Sequence, residues 1–258
     1  MVLLPRLRPP LRRVRRLPPA GQGLRRGRRR RPGAVNLVVN ECFGPTVQGE
    51  GPSTGRRCGF VRLGRCNQAC VWCDEPQTWA WDRFDPDTEL HEVPVAEVVA
   101  AVEAMGVDMV VVTGGEPLLQ QRQLRPLVDA LHDREYRVEV ETAGTIAPGL
   151  DVDQWNVSPK LANSGNPVER RYQPDVLRVF QATGRAVFKF VVCESADLHE
   201  VDVIVEECGL TGIWIMPEGT DSQTLLRRSA ALADDVVKRG WNLSTRLHIL
   251  LWGNRRGV

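Results

Sequence analysis

Three of the seven cysteines, Cys66, Cys70 and Cys73, lie within eight residues in the spacing C-x3-C-x2-C. Three thiolates this close on a loop can converge on one soft metal centre. A [4Fe–4S] cluster held by three cysteines leaves one iron open, as a catalytic centre requires. Structural zinc sites usually take four protein ligands, often two C-x2-C pairs, and no second pair is present here. The spacing therefore favours a three-cysteine cluster over zinc.

Other segments accompany the cysteine loop: ECFGPTVQGEG at 41–51, FVRLGRCNQACVWCDE at 60–75, TGGEP at 113–117, ETAGT at 141–145, SPKL at 158–161, FKFVV at 188–192, WIMPEGTD at 214–221 and RLHILLWGNRRGV at 246–258. Together they resemble the 7-carboxy-7-deazaguanine synthase (QueE) family of the radical S-adenosylmethionine (SAM) superfamily. The resemblance covers about residues 36–258. The cysteine spacing alone indicates the superfamily, whereas the QGEG, SPKL and C-terminal segments together indicate the family.

The resemblance implies a lyase that converts 6-carboxy-5,6,7,8-tetrahydropterin to 7-carboxy-7-deazaguanine with loss of ammonia, in 7-deazapurine and queuosine-precursor biosynthesis. The implied cofactors are a [4Fe–4S] cluster, SAM and Mg2+. It implies no catalytic side chain beyond the cofactors, so the protein would position the reactants and exclude water and oxygen. Further expectations are an electron donor of the flavodoxin or ferredoxin type and a homodimer.

The resemblance also implies a set of SAM contacts: Trp72, Asp74, Gly115, Glu116, Glu141, Thr142, Ser158, Pro159 and Lys160. The glycines of TGGEP allow close backbone approach to a ligand. Lys160 is expected to meet the carboxylate or ribose oxygens, and the amino group is expected to meet backbone carbonyls or Glu116. Glu141 and Thr142 are expected to hydrogen-bond the ribose, with a structural role as the alternative. For Trp72, packing that keeps water from the cluster is an alternative. For TGGEP, a plain strand-to-helix turn is the alternative.

A second set is implied at the pterin: Gln48, Gly49, Glu50, Arg62, Thr113 and His248. A carboxylate such as Glu50 can accept from both the N3–H and the 2-amino group of a pterin. Gln48 offers a donor and an acceptor for the neighbouring O4 edge. Arg62 stands in an apolar strand, so its burial demands an anionic partner, for which the substrate carboxylate is the candidate. His248 could equally serve packing alone.

One position departs from the family pattern. The residue after Cys-Asp is typically a Thr that binds Mg2+, and here it is Glu75. A carboxylate can also bind Mg2+. Glu75 is therefore the candidate magnesium ligand, with the alternative that it points away from the metal.

These motifs need a scaffold, and strand and helix patterns alternate from residue 36 onward. Strands are predicted at 36–40, 59–63, 109–112, 137–141, 155–157, 186–192, 212–216 and 247–252. Helices are predicted at 95–105, 124–132, 198–208 and 225–239. Repeated β-then-α units predict parallel strands whose carboxyl ends gather ligand residues, which is where the motifs lie. The expected fold is α/β, a partial (β/α)6 radical SAM barrel, abbreviated and open.

The connections in this scaffold are expected to carry loops. Residues 43–51 are predicted to form a Gly/Pro-rich loop, and residues 76–94 and 162–185 longer polar connections. Residues 35–258 are expected to form one radical SAM core domain, because 258 residues suit a single α/β domain.

The basic charge of the chain comes from its first segment. Residues 1–32 hold twelve arginines and no acid, and without them 22 basic residues face 32 acidic ones, a formal charge of −10. Residues 1–34 are predicted to be a disordered Arg/Pro-rich tail. The preferred interpretation is that this tail has no function and reflects a start site assigned too far upstream. A transit peptide or nucleic-acid-binding arm is the alternative. The acidic body argues against nucleic-acid binding.

The composition also argues against some classes of protein. No apolar run reaches the length of a membrane span. Clustered and scattered cysteines argue for a reducing compartment, so we expect a cytoplasmic protein without a membrane partner. Two rival functions remain: another radical SAM enzyme, such as a glycyl-radical activase acting on a protein, and a zinc-stabilised nucleic-acid-binding protein using the Arg tail.

Overall fold

The structure is a computed structural model that describes residues 35–258. The expected tail and its upstream start, at residues 1–34, lie outside the described residues. The strands are β1 (Asn36–Val47), β2 (Arg57–Leu63), β3 (His91–Pro94), β4 (Met109–Gly114), β5 (Arg137–Thr142), β6 (Gln154–Val157), β7 (Ala186–Val192), β8 (Ile213–Pro217) and β9 (Asn242–Leu243). The helices are α1 (Pro86–Glu89), α2 (Val95–Met105), α3 (Gln121–His132), α4 (Val168–Arg171), α5 (Pro174–Ala182), α6 (Asp197–Cys208), α7 (Ser222–Lys238) and α8 (Leu247–Trp252).

The strands form one sheet in the order β3-β1-β2-β4-β5-β6-β7-β8-β9. Pairing is parallel from β2 through β9, whereas β1 is antiparallel to both β2 and β3. Helices cross over between successive parallel strands except between β5 and β6, where a loop makes the connection. This confirms the α/β class and the open, abbreviated barrel, with the carboxyl ends of the parallel strands gathered at one edge.

The core lies between the sheet and the crossover helices. The run Met109–Val112 of β4 is fully buried, as expected for a central parallel strand covered on both faces. In α3 the apolar residues recur at helical spacing and all are buried: Leu124, Leu127, Val128 and Leu131. The opposite faces of the strands carry polar side chains into the barrel, and these residues build the site.

The expected loop from residue 43 is partly wrong, because β1 continues to Val47. Gly44 and Pro45 indicated a break, yet they lie where the β1–β2 register shifts, between Phe43 and Thr46. A bulge accommodates both residues without ending the strand. The added length brings Gln48 and Glu50 to the barrel opening.

The predicted last strand at 247–252 is also wrong, because these residues form α8. A short continuous apolar run does not distinguish a strand from a helix by periodicity. Here the helix buries Ile249 and leaves Leu251 exposed. The sheet instead ends at β9, so His248 comes from a helix rather than a strand.

The connection at 162–185 contains α4 and α5, which the sequence analysis missed. The helix α5 covers β6 and β7 and buries Leu177 and Phe180. The Phe180 ring packs edge-on against Trp155 of β6, with ring centroids 5.3 Å apart. This segment is therefore part of the core rather than a polar insertion.

We expect Phe180→Ala to lower the free energy of unfolding by about 3–5 kcal/mol, because it leaves a cavity beside Trp155. Urea unfolding of the protein under anaerobic conditions measures this change. The neighbouring Val179, which is 47% exposed, supplies the control, and Val179→Ala should cost less than about 1 kcal/mol. Equal losses for the two variants would contradict the packing described for α5.

Candidate active site

The cysteine loop follows β2, and each of its three sulfurs accepts a hydrogen bond. The donors are the Gln68 backbone N–H to Cys66 Sγ (3.4 Å), Asn166 Nδ2 to Cys70 Sγ (3.3 Å) and Trp79 Nε1 to Cys73 Sγ (3.3 Å). Hydrogen bonds to cluster sulfurs are one of the means by which a protein sets the reduction potential of an iron–sulfur centre. The loop is therefore preorganised for thiolate ligands.

A close backbone approach fixes this loop against the end of β4. A Cβ placed on Gly115 would overlap the Arg65 carbonyl and lie 2.8 Å from Cys66 Cβ. The Glu116 N–H donates to the same Arg65 carbonyl at 2.9 Å. Glycine is required at Gly115 because no side chain fits, and the TGGEP segment thereby positions the first cysteine.

The three cysteines lie together on the loop after β2 and line one cavity. Three thiolates on one short loop are a donor set that suits an iron–sulfur cluster. Within residues 35–258, no three His, Cys, Asp or Glu side chains form a ready site for one metal ion. Burial raises the pKa of the Cys66 thiol to about 12 and raises that of Cys73, so cluster binding must displace their protons.

One cavity joins most of the residues expected at SAM and at the pterin. Its lining includes these predicted residues: Gln48, Gly49, Glu50, Arg62, Cys66, Cys70, Trp72, Cys73, Asp74, Glu75, Thr113, Gly115, Glu141, Thr142, Ser158, Lys160 and His248. They come from the ends of β1, β2, β4, β5 and β6 and from α8. Glu116 and Pro159 are buried and are not part of this lining.

Glu116 is buried behind the cavity lining. Its carboxylate accepts hydrogen bonds from Thr142 Oγ1 (2.8 Å), the Ala143 N–H (2.7 Å) and the Leu118 N–H (3.0 Å). Burial raises its pKa, and these bonds partly offset the shift. Glu116 therefore fixes Thr142 at the end of β5, and its expected contact with the SAM amino group stays a prediction.

The other expected SAM residues lie beside the cysteine loop. Lys160 Nζ donates to the Ser158 carbonyl at 3.0 Å and to Ser158 Oγ at 2.9 Å. The same ammonium lies 5.8 Å from the Trp72 ring centroid, and Trp72 Nε1 donates to the Asn163 carbonyl at 3.0 Å. The geometry leaves a cation and an aromatic face at one cavity wall, which suits an anionic carboxylate and a purine.

Glu50 lies at the centre of a buried ion-pair network. Lys189 Nζ binds Glu50 Oε2, and Arg246 Nε donates to Glu50 Oε1 at 3.1 Å. Arg246 also binds Asp74. Burial alone would raise the pKa of Glu50, but the two cations lower it well below its usual range. Glu50 is thus held as an oriented carboxylate facing the cavity.

Glu141 is bound by two residues that the sequence analysis expected at the pterin. It accepts hydrogen bonds from Gln48 Nε2 (3.2 Å) and from Thr113 Oγ1 (2.7 Å). Lys189 Nζ lies 3.8 Å from its carboxylate. Glu141 therefore couples β5 to the Gln48 loop and to the end of β4.

Arg62 has the anionic partners that its burial demands, but they belong to the protein. Its Nε pairs with Glu41 and its Nη2 with Glu75, each at 2.9 Å. The guanidinium also lies over the Phe43 ring at 5.7 Å. The other Glu75 oxygen accepts from Gln77 Nε2. Both oxygens of the expected magnesium ligand are therefore already engaged.

His248 packs directly onto the Gln48–Glu50 loop from α8. A Cβ on Gly49 would overlap the His248 ring, so any larger residue there would require His248 to move. The Leu247 N–H donates to the Gly49 carbonyl at 2.9 Å, which fixes the helix start on the same loop. Burial lowers the pKa of His248, so a neutral imidazole faces the cavity.

Two residues of this site, Lys189 and Arg246, were missed by the sequence analysis. Lys189 had a signal, because it is one of three lysines in an arginine-rich chain and lies in FKFVV. Arg246 had no such signal, because arginine is the common basic residue of the chain. Asn166, which donates to Cys70, was hidden in the connection expected to be polar.

Comparisons with known proteins agree with this geometry. Residues 61–165 match the Radical SAM superfamily. The chain is 36% identical over 237 residues to a 7-carboxy-7-deazaguanine synthase from Hyperthermus butylicus, covering 88% of this chain and 98% of the relative. The corresponding enzyme from Pyrobaculum aerophilum is 37% identical over 220 residues, with 82% and 93% covered.

Solved structures give the same result. The crystal structure of QueE from Escherichia coli matches with a TM-score of 0.64 and 26% identity, over 84% of this chain and 96% of that chain. Streptococcus suis SuiB bound to precursor peptide SuiA matches with a TM-score of 0.52 and 14% identity, over 72% of this chain and 47% of that chain. The SuiB likeness shows a shared fold alone.

Proposed function

Because the chain belongs to the 7-carboxy-7-deazaguanine synthase family of radical SAM enzymes, we propose that its cavity converts 6-carboxy-5,6,7,8-tetrahydropterin to 7-carboxy-7-deazaguanine. The reaction is a radical ring contraction with loss of ammonia, and it belongs to 7-deazapurine and queuosine-related biosynthesis. The observation that carries the proposal is the single cavity that joins the three cysteines to the Glu50 network. A cluster, SAM and a small planar substrate all need to meet there.

Cys66, Cys70 and Cys73 would hold the [4Fe–4S] cluster, and the walls formed by Trp72, Ser158 and Lys160 would hold SAM. When bound there, the reduced cluster and SAM would together supply radical hydrogen-abstraction chemistry. The side chains would orient the two reactants and exclude water from the site.

The pterin would place its N3–H and 2-amino edge on the Glu50 carboxylate, which the two cations keep ionised. Gln48 and Thr113 are held in place by Glu141 and face the same cavity. Neutral His248 would accept from or donate to the ring without adding charge. Arg62 uses Nε and Nη2 for its two glutamates, which leaves Nη1 for the substrate carboxylate.

Magnesium fits this site poorly. The family position that would bind Mg2+ is Glu75, and its oxygens are taken by Arg62 and Gln77. Mg2+ prefers octahedral oxygen ligands and would have to displace a buried guanidinium. Arg62 already supplies the positive charge that pairs with the Glu75 carboxylate.

Turnover of the wild-type protein is therefore expected to change less than about twofold between excess Mg2+ and a chelator. In Glu75→Thr the Arg62 partner is lost and a hydroxyl ligand is supplied, so activity without Mg2+ should fall and added Mg2+ should restore part of it. Steady-state product formation across a Mg2+ titration measures both. A wild-type protein that needs Mg2+ would contradict the assignment of Glu75 to Arg62.

We also propose, from the family resemblance, a homodimer in the cytoplasm that receives electrons from a flavodoxin or ferredoxin. Radical SAM enzymes require such a reductant for cluster reduction. Among residues 35–258, no helix is long and apolar enough to cross a membrane. Size-exclusion chromatography with light scattering of the holoprotein would test the dimer.

The function is tested by anaerobic reconstitution with iron and sulfide, followed by incubation with SAM, dithionite and 6-carboxy-5,6,7,8-tetrahydropterin. Formation of 7-carboxy-7-deazaguanine is the expected result. Cleavage of SAM with the pterin left untouched would sink the substrate assignment and favour another radical SAM reaction. Binding of zinc without a cluster would overturn the whole reading.

A further inference from the structure

Arg246 connects three segments that are far apart in the chain. Its Nε donates to Glu50 in the loop after β1 (3.1 Å), its Nη1 donates to the Gly219 carbonyl after β8 (2.8 Å), and its Nη2 binds Asp74. The side chain is only 7% exposed. Each nitrogen of the guanidinium thus holds a different part of the cavity wall.

Two of these partners, Glu50 and Asp74, lie beside different proposed ligands. Glu50 faces the proposed pterin, whereas Asp74 directly follows the cluster ligand Cys73. Within residues 35–258, Arg246 is the one side chain with an ion pair to both carboxylates. A planar guanidinium presents its donors in a rigid fork, so a shift of one bound carboxylate changes the geometry at the other.

Lys189 provides a natural comparison. It is equally buried and binds the other oxygen of Glu50, but its second neighbour is Glu141 on β5 rather than a residue of the cysteine loop. Lys189 and Arg246 therefore share the pterin side of the network. Of these two residues, only Arg246 also binds Asp74 in the cysteine loop.

We propose that Arg246 is a positioning residue that couples pterin binding at Glu50 to the geometry of the cysteine loop through Asp74. When pterin binds Glu50, the guanidinium adjusts and Asp74 moves with it, which changes the site beside Cys73 where SAM binds. We expect the coupling to be favourable, so that SAM strengthens pterin binding, and because coupling between two sites is reciprocal, pterin then strengthens SAM binding by the same factor. This inference rests on the proposed function and adds to it a path between the two ligands.

The test measures the pterin Kd by anaerobic equilibrium dialysis of the oxidised holoenzyme, with and without SAM, so that no turnover occurs. The ratio of the two Kd values is the coupling factor, and we expect roughly tenfold for the wild type, within the usual range for coupled sites. Three variants separate affinity from coupling: Asp74→Asn, Lys189→Gln and Arg246→Gln.

In Asp74→Asn the coupling factor, measured at SAM concentrations that saturate the variant, should fall below about twofold. In Lys189→Gln the Kd should rise about tenfold or more with and without SAM, and the factor should persist. In Arg246→Gln the pterin Kd should rise, and the coupling factor should fall towards one. The EPR spectrum of the reduced cluster with SAM should respond to pterin in the wild type and in Lys189→Gln but not in Asp74→Asn.

Asp202→Asn is the matched control, because Asp202 forms a comparable pair with Arg239 outside the cavity lining. This variant should have the same pterin Kd, the same coupling factor and the same EPR spectrum as the wild type. A coupling factor in Asp74→Asn equal to that of the wild type would overturn the proposal, as would a wild-type factor of one. Failure of the wild type to bind pterin at all would instead count against the proposed function.

Discussion

Replacing Cys70 with serine is expected to reduce product formation to background. Cys70 is 7% exposed, and its sulfur accepts a hydrogen bond from Asn166 Nδ2. A serine oxygen is a hard ligand that binds iron of a sulfide cluster poorly, so the cluster should be incomplete or absent. Iron and acid-labile sulfide per chain, together with the visible absorbance of the reconstituted protein, measure this loss directly.

The matched control is Cys193→Ser, since Cys193 is a free cysteine that does not line the cavity. That variant should retain its iron, its sulfide and its rate of product formation. The cluster assignment fails if Cys70→Ser keeps full iron content, or if Cys193→Ser loses as much iron as Cys70→Ser does.

Replacing Glu50 with glutamine is expected to lower kcat/KM for the pterin by roughly 100- to 1000-fold. The change removes the charged acceptor for the pterin edge and leaves Lys189 and Arg246 without their shared anion. Breaking a buried ion pair in this way costs about 3–5 kcal/mol, more than the loss of an ordinary hydrogen bond. Initial rates over a range of pterin concentrations give kcat/KM.

The comparison variant is Glu103→Gln, which removes an exposed carboxylate paired with Arg134 on the outer surface. Exposed pairs contribute about 0–1 kcal/mol, so this variant should match the wild type. The iron content of Glu50→Gln must also be normal, because the effect should fall on the substrate and not on the cluster. A loss smaller than about fivefold would show that Glu50 does not bind the pterin.

Local signals were enough to predict much of this molecule. The bounds of α2 (95–105) and β7 (186–192) agree with the sequence prediction residue for residue. The cysteine spacing predicted that Cys66, Cys70 and Cys73 lie together on one short loop, and the three residues line the same cavity. In TGGEP, a glycine permits the close approach to Arg65.

Long-range partners could not be predicted. Glu50 was expected at the pterin, but its cations lie 139 and 196 positions away along the chain, and neither has a local pattern that points to Glu50. The α8 run was ambiguous for a different reason: LHILLW is apolar at nearly every position, so tertiary packing decides between helix and strand. The hydrogen bonds that Glu116 accepts from Thr142, Ala143 and Leu118 were likewise not predicted, because a motif fixes the backbone and not where each side chain points.

In the proposed complex one cavity holds the cluster, SAM and the pterin, and Glu50 binds the N3–H and 2-amino edge of the pterin. An anaerobic crystal structure of the reconstituted protein with SAM and 6-carboxy-5,6,7,8-tetrahydropterin would show this arrangement. We predict Glu50 within hydrogen-bonding distance of both N3 and the 2-amino nitrogen, with Lys189 and Arg246 still on the same carboxylate. A pterin bound with that edge against other residues, or outside this cavity, would contradict the claim.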